Sequence, residues 1–147
     1  MPISRRAFSR LFAVAGMLAA PMAAKAAADP GLPKVVYHLS DTEKIGFVLV
    51  NIDNHIKGMG GPDKVVIALV VHGPPLAMFI AGKAAPDLAR HVERLGKAGV
   101  SLIACGNTMA AQKLVLADLL PGFGEAAEGG VVRLAKLQDE GYAYLRP

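Results

Sequence analysis

VVIALVVHG, from Val65 to Gly73, is an apolar run rich in β-branched residues, with no polar break until its closing histidine. A strand covered on one face alternates apolar and polar side chains. An unbroken run marks a strand covered on both, as in a parallel sheet with helices front and back. Gly73, Pro74 and Pro75 stop it. Beyond them Leu76, Met78, Phe79 and Ile80 make an almost uncharged loop, Gly73 to Lys83. A solvated loop is rarely so apolar, so this one folds over the core or buries against another subunit. The second is the expectation here.

Working toward the C-terminus, Pro86 and Asp87 open a helix that turns Leu88, Val92 and Leu95 inward, and Gly99 closes it. Val100–Ala104 is a further buried strand. Asn107 or Thr108 is placed to cap a third helix, running to Leu120 ahead of Pro121 and Gly122. A weaker extended piece is expected near Glu125–Glu128. A fourth helix follows over Val131–Glu140, ended by Gly141, and then a last strand over Tyr142–Leu145. Toward the N-terminus, Val35–Leu39 reads as a strand. Ser40 or Asp41 can cap the helix after it, where Ile45, Val48, Leu49, Ile52 and Ile56 share one face. Gly58, Gly60, Gly61 and Pro62 end that helix. Strand and helix in alternation predict one α/β domain: three layers, a mostly parallel sheet flanked by helices on both faces in a flavodoxin-like wrap, spanning residues 34–147.

Composition narrows the function. The 147 residues are 53% hydrophobic and 19% charged, which excludes wholesale disorder. The net charge of +4 is local. Residues 1–28 hold Arg5, Arg6, Arg10 and Lys25 and no acid, which leaves 12 basic and 12 acidic residues after them. With no basic excess and 5% aromatics, nucleic acid is not an expected partner. The single cysteine excludes an internal disulfide and a CxxC zinc site. No GxxxxGK[ST], GxGxxG or GxSxG occurs, so nucleotide binding and the serine-hydrolase chemistries find no support.

Residues 1–28 read as an export signal peptide. Leu11 to Ala24 is an apolar run of 14 residues, shorter than the roughly 20 a membrane span needs, and A-x-A sites follow it. SRRAFSR, Ser4 to Arg10, resembles the twin-arginine signal, whose pathway exports folded proteins. The expected location is therefore the periplasm, with membrane contact only through the leader during export. Residues 29–33, DPGLP, are a stiff linker.

In a doubly wound sheet the ligand crevice lies beyond the carboxyl ends of the strands. Three side chains with chemistry stand there: His38, His72 and Cys105. Cys105 precedes Gly106, Asn107 and Thr108 at a helix start. There unpaired N–H groups and the helix dipole favour a thiolate, and Gly106 lets the backbone come close. A buried, inert cysteine is the bland reading. His72 is a candidate proton acceptor for Cys105 or a metal ligand; the alternative is a histidine satisfied by a loop carbonyl. His38 carries the same ambiguity. His55 lies on the polar side of its helix and is expected at the surface or an interface. Two histidines and a thiolate are a copper or zinc donor set in type, but their spacing carries no metal assignment, and no cofactor is expected.

Six segments together carry a family resemblance: KVVYHLSD from Lys34, NIDNHI from Asn51, VVIALVVHG, GVSLIACGNTM from Gly99, DLLPGF from Asp118 and GVVRLAKLQDEGYAYLRP from Gly130. From Lys34 to Pro147 the sequence resembles the DsrE/DsrF-like family. The resemblance implies a three-layer α/β fold and a homotrimer or homohexamer. It also implies a sulfur-relay role, in which Cys105 holds sulfane sulfur as a persulfide and hands it to a partner, as a carrier rather than a turnover enzyme. His72 would assist the proton, and Gly106, Asn107, Thr108 and His38 would line the binding site. The relay proteins of the family are cytoplasmic, so an exported member needs another sulfur donor and acceptor. The competing reading is a non-catalytic oligomer that binds a ligand or protein at this edge, with Cys105 structural.

Overall fold

The structure, a computed structural model, describes residues 31–147. The leader expected at residues 1–28 lies outside them. The strands are β1 (Lys34–Leu39), β2 (Val66–Val71), β3 (Ser101–Cys105), β4 (Phe123–Ala126) and β5 (Ala143–Leu145). The helices are α1 (Ile45–Gly58), α2 (Pro86–Lys97), α3 (Gly106–Ala111) and α4 (Gly130–Asp139). All strand pairs are parallel, in the order β4-β3-β2-β1-β5. The chain steps outward from β1 through β2 and β3 to β4. It then crosses back through α4 to place β5 on the far side of β1.

The two-residue alternation of each strand supplies two cores. Val35, Tyr37, Leu39, Ile67, Leu69, Val71, Leu102 and Ala104 face one side and pack with Val48, Leu49 and Ile52 of α1 and Val92 and Leu95 of α2. Val36, Ala68 and Val70 face the other side and pack with Leu134 and Leu137 of α4, with Ile103 and Tyr142 at the margin. Both faces of β2 are thus covered, which is why its sequence shows no alternation. Among the described residues no helix is long and apolar enough to cross a membrane.

Five local expectations change. The apolar loop takes the first of its two readings and folds over the core: it forms a three-ten turn, Pro74–Phe79, with Leu76 and Phe79 fully buried in this chain's own core. It is tied down by Leu120 N–H donating to Phe79 O at 2.8 Å and Ala81 N–H donating to Asp118 O at 2.9 Å. Met78 stays exposed. The third helix does not reach Leu120. It ends at Ala111, and Lys113, with φ 56°, turns the chain toward a three-ten turn at Leu116–Asp118. The residue at its N-cap is Cys105, not Asn107 or Thr108. The extended piece expected at Glu125–Glu128 falls at Phe123–Ala126, where it pairs with β3. Neither Ser40 nor Asp41 caps α1: Asp41 precedes a three-ten turn, Thr42–Lys44, without a side-chain cap bond, and both residues instead accept from Arg146.

Candidate functional site

Strand order and register put the expected side chains in one row. Val71 is level with Ala104, so His72 and Cys105, the next residue in each chain, stand side by side at the ends of β2 and β3. His38 is level with Val70, one two-residue step below His72, and Tyr144 is level with Val36, one step below His38. Counting by twos from Val36, Val70 and Ile103 places all four on the face that α4 covers. Tyr144, His38, His72 and Cys105 therefore climb diagonally across β5, β1, β2 and β3 and end at the sulfur.

Two hydrogen bonds join the first three. The Tyr144 hydroxyl and His38 Nδ1 lie 2.7 Å apart, and His38 Nε2 and His72 Nδ1 lie 2.8 Å apart. Burial pushes the His38 pKa down, and the charges of His72 and Arg146 add to that against the opposing effect of Asp41, so it falls to about 4. His38 is neutral at neutral pH. With Nδ1 bonded to His38, His72 keeps Nε2 as its second ring nitrogen, and the residue lines the same cavity as Cys105.

Cys105 is 4% exposed. Its sulfur accepts the Gly130 N–H at 3.1 Å. That N–H is one of the unpaired donors at the start of α4, where the helix dipole also favours negative charge. Burial alone would raise the thiol pKa, but the Thr108 hydroxyl and the N–H groups of Thr108, Gly130 and Asn107 outweigh it, and the net shift is downward. The approach depends on two glycines. A Cβ on Gly130 would lie 3.2 Å from both Cys105 Cβ and His72 Cβ, and one on Gly106 would lie 2.8 Å from Ala126 O. The site therefore has backbone where most residues would put a side chain.

His72, Cys105, Asn107, Thr108, Gln112 and Gly130 line a cavity of about 450 Å³. Gln112 donates through Nε2 to Gly73 O at 3.1 Å, while its buried Oε1 has no partner among the described residues. Glu128 stands at the rim, engaged by Arg133 and Lys136 at 3.2 Å each. A sulfur here can ionise, is approached from one side, and is shielded from bulk water on the other.

Of the residues expected at this edge, Cys105, His72, Asn107 and Thr108 line the cavity, and His38 lies behind His72. Gly106 serves close packing against β4. Thr108 has a second role, its hydroxyl accepting the Gly73 N–H at 2.9 Å. His55 is not a free surface residue: its Nδ1 pairs with the Tyr37 hydroxyl at 2.9 Å. Gly130, Gln112 and Tyr144 were not expected at the site. The Gly129-Gly130 pair ahead of a helical stretch was the available signal for the first. Nothing in the sequence pointed to the other two. Among the described residues no group of three or more His, Cys, Asp or Glu is arranged to hold a metal ion.

A family profile described as the DsrE/DsrF-like family matches residues 35–147. No curated protein matches the chain. The fold is shared with a protein of unknown function, MTH1491 from Methanobacterium thermoautotrophicum, at 26% identity and a TM-score of 0.69 over 78% of this chain and 99% of that one. It is shared also with the YchN protein from E. coli, at 15% identity and a TM-score of 0.62 over 79% of this chain and all of that one.

Proposed function

The chain belongs to the DsrE/DsrF-like family, and we propose that it is a sulfur carrier that holds sulfane sulfur as a persulfide on Cys105 and passes it to a partner. Family membership supports a sulfur-relay type of role. The assignment to Cys105 rests on one observation: the sulfur at the cavity wall receives the Gly130 N–H at 3.1 Å. In loading, the Cys105 thiolate attacks the outer sulfur of a donor persulfide, R–S–SH. The Sγ–S bond forms, the donor's S–S bond breaks, and R–S⁻ leaves, so Cys105–S⁻ + R–S–SH gives Cys105–S–SH + R–S⁻ with no external oxidant. Unloading is the same exchange onto an acceptor thiolate. Before the exchange the negative charge of the Cys105 thiolate rests against the N–H groups of Gly130, Asn107 and Thr108, and it departs on R–S⁻.

Incubating the protein with polysulfide and weighing it tests this. The expected product is heavier by about 32 Da, one sulfur atom, and Cys105→Ser abolishes the gain. A wild-type protein without the adduct, or an adduct that survives the substitution, overturns the reading. The 4% exposure of Cys105 is what favours the second reading, a binding module with a structural cysteine. In that case thiol reagents react slowly with the native protein and Cys105→Ala keeps its ligand. Two further proposals concern context: carriage takes place in the periplasm, and the unit is a homotrimer or homohexamer. Cell fractionation after replacing Arg5 and Arg6 by Lys tests the export route, and sedimentation tests the assembly.

A further inference from the structure

Cys105 sits beside a row of hydrogen-bonding side chains, of which the sequence reading gives only His72 a part in the sulfur chemistry. Tyr144, His38 and His72 occupy neighbouring strands on one sheet face and are joined by contacts of 2.7 and 2.8 Å. The inner end, His72, lines the cavity beside Cys105. The outer end, Tyr144, is 40% exposed on the edge strand β5. His38 between them is 8% exposed and has both ring nitrogens engaged. A buried imidazole with a partner on each nitrogen is arranged to pass a proton through rather than to keep one.

We propose that Tyr144, His38 and His72 form a proton relay, which carries the proton given up when the Cys105 sulfur acts as nucleophile from the cavity to solvent at the sheet edge. The proposal rests on Cys105 being a reactive thiol. When Cys105–SH reacts with R–S–SH to give an ionised persulfide and R–SH, one proton is left over, because a sulfur bonded to sulfur is the stronger acid. His72 accepts that proton at Nε2 and releases its Nδ1 proton to His38 Nε2. His38 releases its Nδ1 proton to the Tyr144 oxygen, and the phenol gives its own to water. Each group ends neutral, and a ring flip or the reverse shift resets the tautomers.

The surroundings agree. Besides His72 and Tyr144, the charges that act on His38 are Arg146 after β5 and Asp41 after β1, and these two bind each other at 3.2 Å. From α4, which covers this face, Arg133 and Lys136 are engaged with Glu128. Among the described residues no carboxylate hydrogen-bonds His38, the pull of Asp41 is outweighed, and a pKa of about 4 keeps the ring neutral in transit. His38 and Tyr144 act through His72 and are positioning residues for it.

The test uses 4,4′-dithiodipyridine, a neutral disulfide that any reactive thiol cleaves: Cys105–SH + Py–S–S–Py gives Cys105–S–S–Py + Py–SH. Wild type, Tyr144→Phe and His38→Gln would be compared across pH at low and high imidazole, at constant ionic strength. The expected result is a wild-type rate independent of imidazole. Both variants slow roughly tenfold at low imidazole, less than the hundredfold or more typical of losing a proton-transfer group itself, and imidazole restores them. Tyr144→Phe keeps the ring at an exposed position, so it keeps the readout open if His38→Gln folds poorly. Variants that match wild type in rate and pH profile, or that are slowed equally at every imidazole concentration, overturn the relay. The sulfur-carrier reading fails separately, through absence of the persulfide adduct, and leaves this result standing.

Discussion

At the scale of single residues, the sulfur's behaviour is a contest between burial and hydrogen bonds. Burial is the largest influence on the Cys105 thiol and pushes its pKa up, yet the hydroxyl and N–H of Thr108 with the N–H groups of Gly130 and Asn107 carry it below the ordinary value. Thr108 is the member that can be changed without moving the backbone. In Thr108→Val the pH midpoint of Cys105 alkylation should rise. The same change leaves the Gly73 N–H without its 2.9 Å acceptor, at a cost of about 1–3 kcal/mol, readable by urea denaturation. An unchanged midpoint with reduced stability would mean that the hydroxyl serves Gly73 alone. His38 predicts a pH dependence of a different kind. Its pKa of about 4 in the folded chain lies below the ordinary 6.5, so between these values the unfolded chain binds a proton that the folded one refuses. The neutral ring's contribution is whole above pH 6.5 and drains away as pH falls toward 4, by at most roughly 3 kcal/mol. The difference in unfolding free energy between wild type and His38→Gln should narrow across that window, and a constant difference would remove the argument.

Whole elements were legible in proportion to how locally they are specified. The β2 run and the α1 and α2 faces carried their own periodicity, and the helix-strand alternation gave the three-layer class. The end of α3 was not legible, because no glycine or proline marks it. Lys113 takes the left-handed turn at φ 56°, Leu114 N–H returns to Met109 O at 2.9 Å, and the Val115 N–H is taken up by Asp118 at 2.8 Å. A side chain at positive φ costs about 1 kcal/mol relative to glycine. Lys113→Gly should therefore stabilise the protein by a few tenths to about 1 kcal/mol, less the added entropy of the unfolded chain. A destabilised variant in thermal melts would show that the lysine side chain contributes more than its backbone strain costs. The apolar loop was misjudged because hydrophobicity reports burial but not against what, and the bonds from Phe79 and Ala81 to residues 118–120 are invisible in the sequence of either segment. Cys105 and His72 were identifiable as strand-end residues. Their adjacency was not, since it depends on the order β4-β3-β2-β1-β5.

Across the whole molecule, the crossing from β4 back to β5 has two results at once. It lays α4 over the face that carries the row, and it brings the start of that helix down on the sulfur. Tyr144 and Arg146, at the far end of the chain, reach the same face only because β5 returns to the side of β1. The family match over residues 35–147 spans this whole circuit. The donor at 3.1 Å from the sulfur is the backbone amide of residue 130, whose approach needs glycine there but no particular side chain elsewhere around the cavity. Drift in side-chain identity around the cavity can therefore alter its shape and selectivity while leaving that electrostatic support in place. Chemical synthesis offers the cleanest way to strip it: an ester in place of the amide at residue 130 would silence the donor and leave every side chain untouched.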